Sequence, residues 1–196
     1  MIVEKTLNRS IRRRFGLVAS AAAFSLISAS SMAAVIFSGP VSIPVPDNID
    51  GVYLNVVTGA SGIAPPAGWD LNPYTAAAGQ FNLWGVNTTT WFSSGGVVSG
   101  PYKLATGTPV TGPTTAFFRP GGTVNVGLEL TLNSSDNYFG FRFPNESTGV
   151  DNFGWLQLQV GATAGERTII GYAYEDTGAA IPVATTPVSL QGFSID

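Results

Sequence analysis

With no histidine and no cysteine anywhere in the chain, the side chains left to do chemistry are carboxylates, tyrosines and a few cations. Ser-His-Asp and Cys-His nucleophile systems, thiolate or imidazole zinc sites and covalent haem attachment are all excluded. The most concrete catalytic arrangement still open is a pair of carboxyl groups about 5 to 10 Å apart in a cleft, as glycosidic bond cleavage requires. Glu129, flanked by Leu128 and Leu130, and Glu175, at the end of a tyrosine-rich run, are the two candidates. The plainer reading makes Glu129 an outward-facing charge in mid-strand and Glu175 a strand-end charge paired with Arg142 or Arg167. No catalytic residue is therefore assigned, and an enzyme is the less favoured class.

Two oxygen-rich clusters are candidates for a hard cation such as calcium. Asp47, Asn48 and Asp50 form the first; Asn133, Asp136, Asn145, Glu146, Asp151 and Asn152 form the second. Neither has the spacing of a calcium-binding loop, and Asp and Asn also favour turns for conformational reasons. No metal and no cofactor is expected. A third chemistry is ring stacking on sugars by Trp69, Trp84, Trp91, Tyr74 and Tyr102, which lie among polar residues. The competing reading puts most of these rings in the core, so the residues of any binding site stay open.

The elements that must position these groups read as strands. Glycine and proline punctuate short apolar runs, and no stretch repeats apolar residues at helical spacing over a dozen positions. Over residues 138–143, Phe139, Phe141 and Phe143 share one face, because side chains alternate across a strand. Over 153–160, Leu156, Leu158 and Val160 face inward while Trp155, Gln157 and Gln159 face water. Over 168–175, Ile170, Tyr172 and Tyr174 oppose Ile169, Gly171, Ala173 and Glu175. Less regular strands are expected over 52–57, 68–71, 80–86, 114–118 and 126–132, with another short strand ending at Trp91 and Phe92. Eight to ten strands at such turn spacing predict an all-β fold, a single antiparallel β-sandwich of jelly-roll type.

Charge is distributed unevenly. Five of the nine basic residues, Lys5, Arg9, Arg12, Arg13 and Arg14, precede a mildly apolar stretch that ends in Ser31, Met32, Ala33 and Ala34. Basic, then apolar, then small is the anatomy of a secretory signal peptide. The expectation is a signal peptide over 1–34, cleaved near Ala33 or Ala34, followed by one domain over 35–196. The Arg12-Arg13-Arg14-Phe15 run also fits a twin-arginine signal, so the export route stays open between the two. The remaining domain carries four cations against eleven carboxylates, a net charge of −7. Such a chain cannot neutralise a run of phosphates, so no nucleic acid partner is expected, and no integral membrane span is expected in the mature chain. Twenty aromatic residues remain after the leader, and a cysteine-free exported domain must draw its stability from their burial.

The order Phe-Gly-Phe-Arg-Phe (Phe139 to Phe143), Phe-Gly-Trp-Leu (Phe153 to Leu156) and Gly-Tyr-Ala-Tyr-Glu (Gly171 to Glu175) resembles the C-terminal part of a group of exported Gram-negative bacterial proteins. Many of these are uncharacterised and carry a Pro-Glu-Pro C-terminal (PEP-CTERM) sorting anchor. The resemblance spans about residues 138–182, and Trp-Asp-Leu-Asn at Trp69 to Asn72 extends it. Two departures stand out: Asn152 and Phe153 occupy positions that are often His-Tyr in that group, and no anchor follows. The resemblance implies a secreted, periplasmic or cell-surface location and supplies no catalytic residues. Taken together, these readings point to an exported β-sandwich with a surface, extracellular-matrix or glycan-binding role and carbohydrate or matrix as partner; the alternative is a carboxylate-dependent glycan-active enzyme.

Overall fold

The structure, a computed structural model, describes residues 34–75, 80–86, 89–92, 100–112, 118–119, 121–124 and 129–187. Over 129–132 the chain forms a turn and an isolated bridge rather than the expected strand, while the expected leader up to Ala33 and residues 114–117 and 126–128 of two expected strands lie outside the described residues. Among those residues there is no helix and fifteen strands run in chain order. They are β1 (Val35–Phe37), β2 (Ile43–Val45), β3 (Tyr53–Leu54), β4 (Ser61–Gly62), β5 (Leu71–Tyr74), β6 (Phe81–Gly85), β7 (Thr90–Phe92) and β8 (Lys103–Leu104). The rest are β9 (Pro109–Val110), β10 (Phe118–Arg119), β11 (Gly121–Val124), β12 (Ser134–Pro144), β13 (Asp151–Val160), β14 (Arg167–Glu175) and β15 (Ile181–Pro182).

Long alternating runs make the framework, and short runs complete it. The three longest strands, β12, β13 and β14, are consecutive antiparallel neighbours. β1 and β2 share the outer edge of β14, while β7 and β8 share the far side of β12, with β10 beyond β7. A second antiparallel sheet has the order β11-β6-β5-β3-β4, and β9 pairs with β15 as a separate ribbon. Fifteen strands exceed the eight to ten expected, because most of them are pieces of only two to four residues, and in two places a pair of such pieces divides one side of a long strand between them.

The sheets pack face to face over one buried cluster, as the sandwich expectation requires. Phe139, Phe141 and Phe143 of β12 meet Leu54, Phe81, Leu83 and Val124 of the second sheet, joined by Leu156, Leu158, Val160, Tyr172 and Tyr174. Phe81 and Phe139 meet edge to face with centroids 6.4 Å apart, and Phe143 packs on Tyr174 at 5.3 Å. Each such side chain stabilises the fold by roughly 1.5–3 kcal/mol relative to exposure. In β14 strict alternation fails. Leu158 pairs with Ile169 but Gln157 with Gly171, and this bulge at Ile170 brings Ile169 into the same core as Tyr172 and Tyr174.

The other face of the first sheet is also covered. Leu104, Val110, Ile181 and Val183 bury Trp155 and Ala173 in a second cluster. Trp155, expected to face water beside Gln157 and Gln159, is instead 2% exposed and packs against Phe37 and Tyr138. The correction comes from the β9–β15 ribbon, whose two-residue strands have no periodic signature. The motif glycines make these contacts possible. A methyl group at Gly154 would lie 2.5 Å from Phe141 Cζ and 2.6 Å from the Ala173 carbonyl oxygen, and one at Gly140 would lie 2.9 Å from Val110 Cγ2. Among the described residues no helix is long and apolar enough to cross a membrane.

Candidate functional site

Turns from both sheets meet at one end of the sandwich. Asp70 precedes β5 and is held by its backbone on two sides: its N–H donates to Leu54 O at 2.8 Å, and its carbonyl accepts from Val86 N at 3.1 Å. Its side chain is carried into the protein, where Oδ2 accepts the Val56 N–H at 2.9 Å, and the residue is only 3% exposed. Burial pushes its carboxyl from 3.8 up to about 7; the Val56 hydrogen bond opposes the shift and the nearby Glu146 charge adds to it. Trp69, half-buried, stands edge-on to Tyr53 with centroids 4.8 Å apart.

The opposite wall is the turn between β12 and β13. Asn145 organises it: Oδ1 accepts from Ser147 N and Oγ, and its backbone oxygen accepts from Gly149 N at 2.7 Å. This turn presents Glu146, whose Oε1 accepts from Asn55 Nδ2 at 2.7 Å. Gly68, with φ +65°, lies against that pair; a side chain there would meet Asn55 Nδ2 at 3.0 Å and Glu146 Oε1 at 3.1 Å. Tyr174 is close behind, its hydroxyl pushed up first by burial and then by the charges of Asp176, Glu146 and Asp70. Gly68, Trp69, Asp70, Val86, Asn145 and Glu146, with Pro144 and Gly149, enclose a recess of about 240 Å³.

No protein-family model, curated protein or solved structure matches the chain.

The recess therefore has to be judged on its chemistry. Its charged lining is acidic on both walls, and one acid is a buried carboxyl that gains or loses a proton near neutrality. Such a group can hold a cation or hydroxyl donor, or move a proton. A larger recess of about 410 Å³ lies at Tyr102, Lys103, Leu104, Ala105, Thr108 and Asp136. There Asp136 is exposed, and half-buried Lys103 already donates from Nζ to Thr131 Oγ1 at 2.6 Å. The smaller recess is the better candidate.

The pair proposed from sequence is corrected. Glu129 sits in a turn and is 2% exposed rather than facing out from a strand. Glu175 is equally buried, and its carboxylate accepts from Thr177 N, Thr177 Oγ1 and Ala179 N, capping the turn after β14. Neither glutamate lines either recess, and Glu175 does not pair with Arg142 or Arg167, which face Asp151 and Asp47.

Both oxygen clusters are occupied with turn geometry. Asn48 Oδ1 accepts from Asp50 N and Gly51 N, while Asp47 takes Thr75 Oγ1 at 2.6 Å and lies 3.5 Å from Arg167 Nη2. In the second cluster Asn133 has φ +52°, Asp136 N–H donates to Ser134 Oγ, Asp151 pairs with Arg142 at 3.4 Å, and Asn152 is fully buried. Among the described residues no three acidic side chains gather as a metal site would require.

The aromatic candidates do not form one platform. Trp91 is fully buried, Trp84 is 46% exposed on the second sheet, Tyr102 lines the larger recess and Tyr74 is half-buried. Only Trp69 stands beside the acidic pair. Sequence reasoning placed Glu146 in a turn but passed over Asp70 and Asn55; an aspartate between Trp69 and Leu71 at a strand entry was the available signal.

Proposed function

We propose that this protein is an exported β-sandwich of the bacterial surface or extracellular matrix that binds glycan in the recess of Trp69, Asp70 and Glu146. The observation that carries this reading is an aromatic ring beside two carboxyl groups in a concave site built by turns of both sheets. Sugars are recognised by just these means: an apolar ring face against an aromatic side chain, and hydroxyls donating to carboxylates. At about 240 Å³ the recess suits one sugar residue of a chain rather than a drug-sized ligand, which takes about 300 Å³ or more. The leader-like sequence and the resemblance to exported bacterial proteins support the location. Calorimetric titration against a panel of oligosaccharides tests the reading. Binding that Trp69→Ala removes, with the circular dichroism spectrum unchanged, is the expected result; no binding across the panel overturns it.

A second reading rests on the Asp70 carboxyl near 7 beside Glu146. A carboxyl pushed up toward neutrality opposite a second carboxyl is the kind of pair that glycoside hydrolysis uses. Release of reducing sugar by the wild type, falling at least about 100-fold in Asp70→Asn, would establish it. Binding without turnover would leave the first reading.

A further inference from the structure

We infer that the recess takes a sugar bearing a free primary amine, its ammonium held by Asp70 and Glu146 and its ring against Trp69. This rests on the glycan-binding reading and narrows it to one substrate class. Three observations carry it. First, every charged group lining the recess is a carboxyl. The described cation side chains are engaged elsewhere: Lys103 on Thr131, Arg142 with Asp151, and buried Arg167 with Asp47 and Thr75. A uronate or sulfate would enter with no counter-charge and would face two acids, which is unfavourable at low local dielectric.

Second, Asp70 is 3% exposed and lines the recess, yet no described residue donates to its Oδ1, since the Val56 bond uses Oδ2. A buried carboxylate with a spare oxygen is satisfied by a charged donor, and a primary ammonium brings three N–H groups. Glu146, on the opposite wall, spends Oε1 on Asn55, and its charge acts on Asp70 across the recess. Third, Trp69 adjoins Asp70, and an ammonium near an indole face gains further stabilisation. Acetylating the amine removes its charge and adds bulk in a small recess lined by Pro144, Val86 and the turn.

The test is calorimetry at low salt on the intact protein with three trisaccharides: one of glucosamine, its fully N-acetylated counterpart, and one of a uronic acid. The glucosamine trisaccharide is expected to bind at least tenfold more tightly than the other two. Asp70→Asn, which retains an acceptor for Val56, and Glu146→Gln on the exposed turn should each shrink that ratio, and together bring it within threefold. Glu146→Gln alone still decides the matter if Asp70→Asn fails to fold. Equal or tighter binding of the acetylated or uronate sugar overturns the ammonium and leaves the glycan-binding reading standing. Binding of none of the three overturns both.

Discussion

Asn55 Nδ2 donates to Glu146 Oε1 at 2.7 Å across 91 residues of sequence, fastening the turn after β3 in one sheet to the β12–β13 turn of the other. The same amide group reaches Gly68 O at 2.7 Å, and Asn55 Oδ1 accepts from Val57 N and Thr58 N. One buried side chain thus sets the positions of three turns around the recess. Asn55→Ala removes these hydrogen bonds, each worth about 0.5–1.5 kcal/mol net because the partners freed lie on exposed or half-buried residues that water can reach. The expected outcome is a loss of about 3 kcal/mol in denaturant unfolding, with glycan binding weakened even at temperatures where the fold persists. A loss below about 0.5 kcal/mol would mean the turns hold without it.

Asp70 gives stability a pH signature. Its carboxyl binds a proton near pH 7 in the folded chain and near 3.8 in the unfolded one, so the native state holds more protons between those values. Its contribution is therefore complete below about pH 4, declines as pH rises to about 7 and is flat above it. A gap of about three units corresponds to about 4 kcal/mol at most. Since other carboxylates respond differently, the quantity to measure is the difference in unfolding free energy between wild type and Asp70→Asn from pH 4 to 9. Asp70→Asn should gain on the wild type as pH rises and be the more stable protein at pH 8. A difference independent of pH would refute the shift.

Glycines in the long strands should differ sharply in tolerance. Gly154→Ala drives a methyl onto Phe141 and the Ala173 carbonyl at 2.5 and 2.6 Å, and overpacking of this kind costs about 1–3 kcal/mol. Gly171→Ala finds its nearest neighbour, Phe37 Cε2, at an ordinary 3.5 Å and should stay within about 1 kcal/mol of wild type. Thermal unfolding of the two variants side by side settles the contrast; equal effects would contradict it.

How far the sequence could be read follows the same division. Phe139, Phe141 and Phe143, like Leu156, Leu158 and Val160, occupy the core face that their alternation implied, because a local period of two is a property of the strand itself. Ile169 escaped that rule through a bulge, and Trp155 through a ribbon assembled from segments about 70 residues apart along the chain. Asp70 was still less legible. Its burial depends on Val56 and Glu146, 14 and 76 positions away, and nothing in its immediate neighbours announces either contact.

Two tryptophans contrast a covered face with an open one. Trp155→Ala opens the cluster under the β9–β15 ribbon and should cost about 3–5 kcal/mol. Trp84, 46% exposed, should tolerate alanine within about 1 kcal/mol. Chemical denaturation measures both, and a large loss at Trp84 would show that its face is covered.

The most direct test of the recess as the binding site is a titration followed by the indole N–H signals in a ¹H–¹⁵N spectrum. The chain has four tryptophans, and single substitutions assign their signals. Glucosamine trisaccharide is expected to shift the Trp69 signal saturably while Trp91 and Trp155 stay in place. Saturable binding that moves Trp84 and leaves Trp69 unchanged would contradict the assignment of the site.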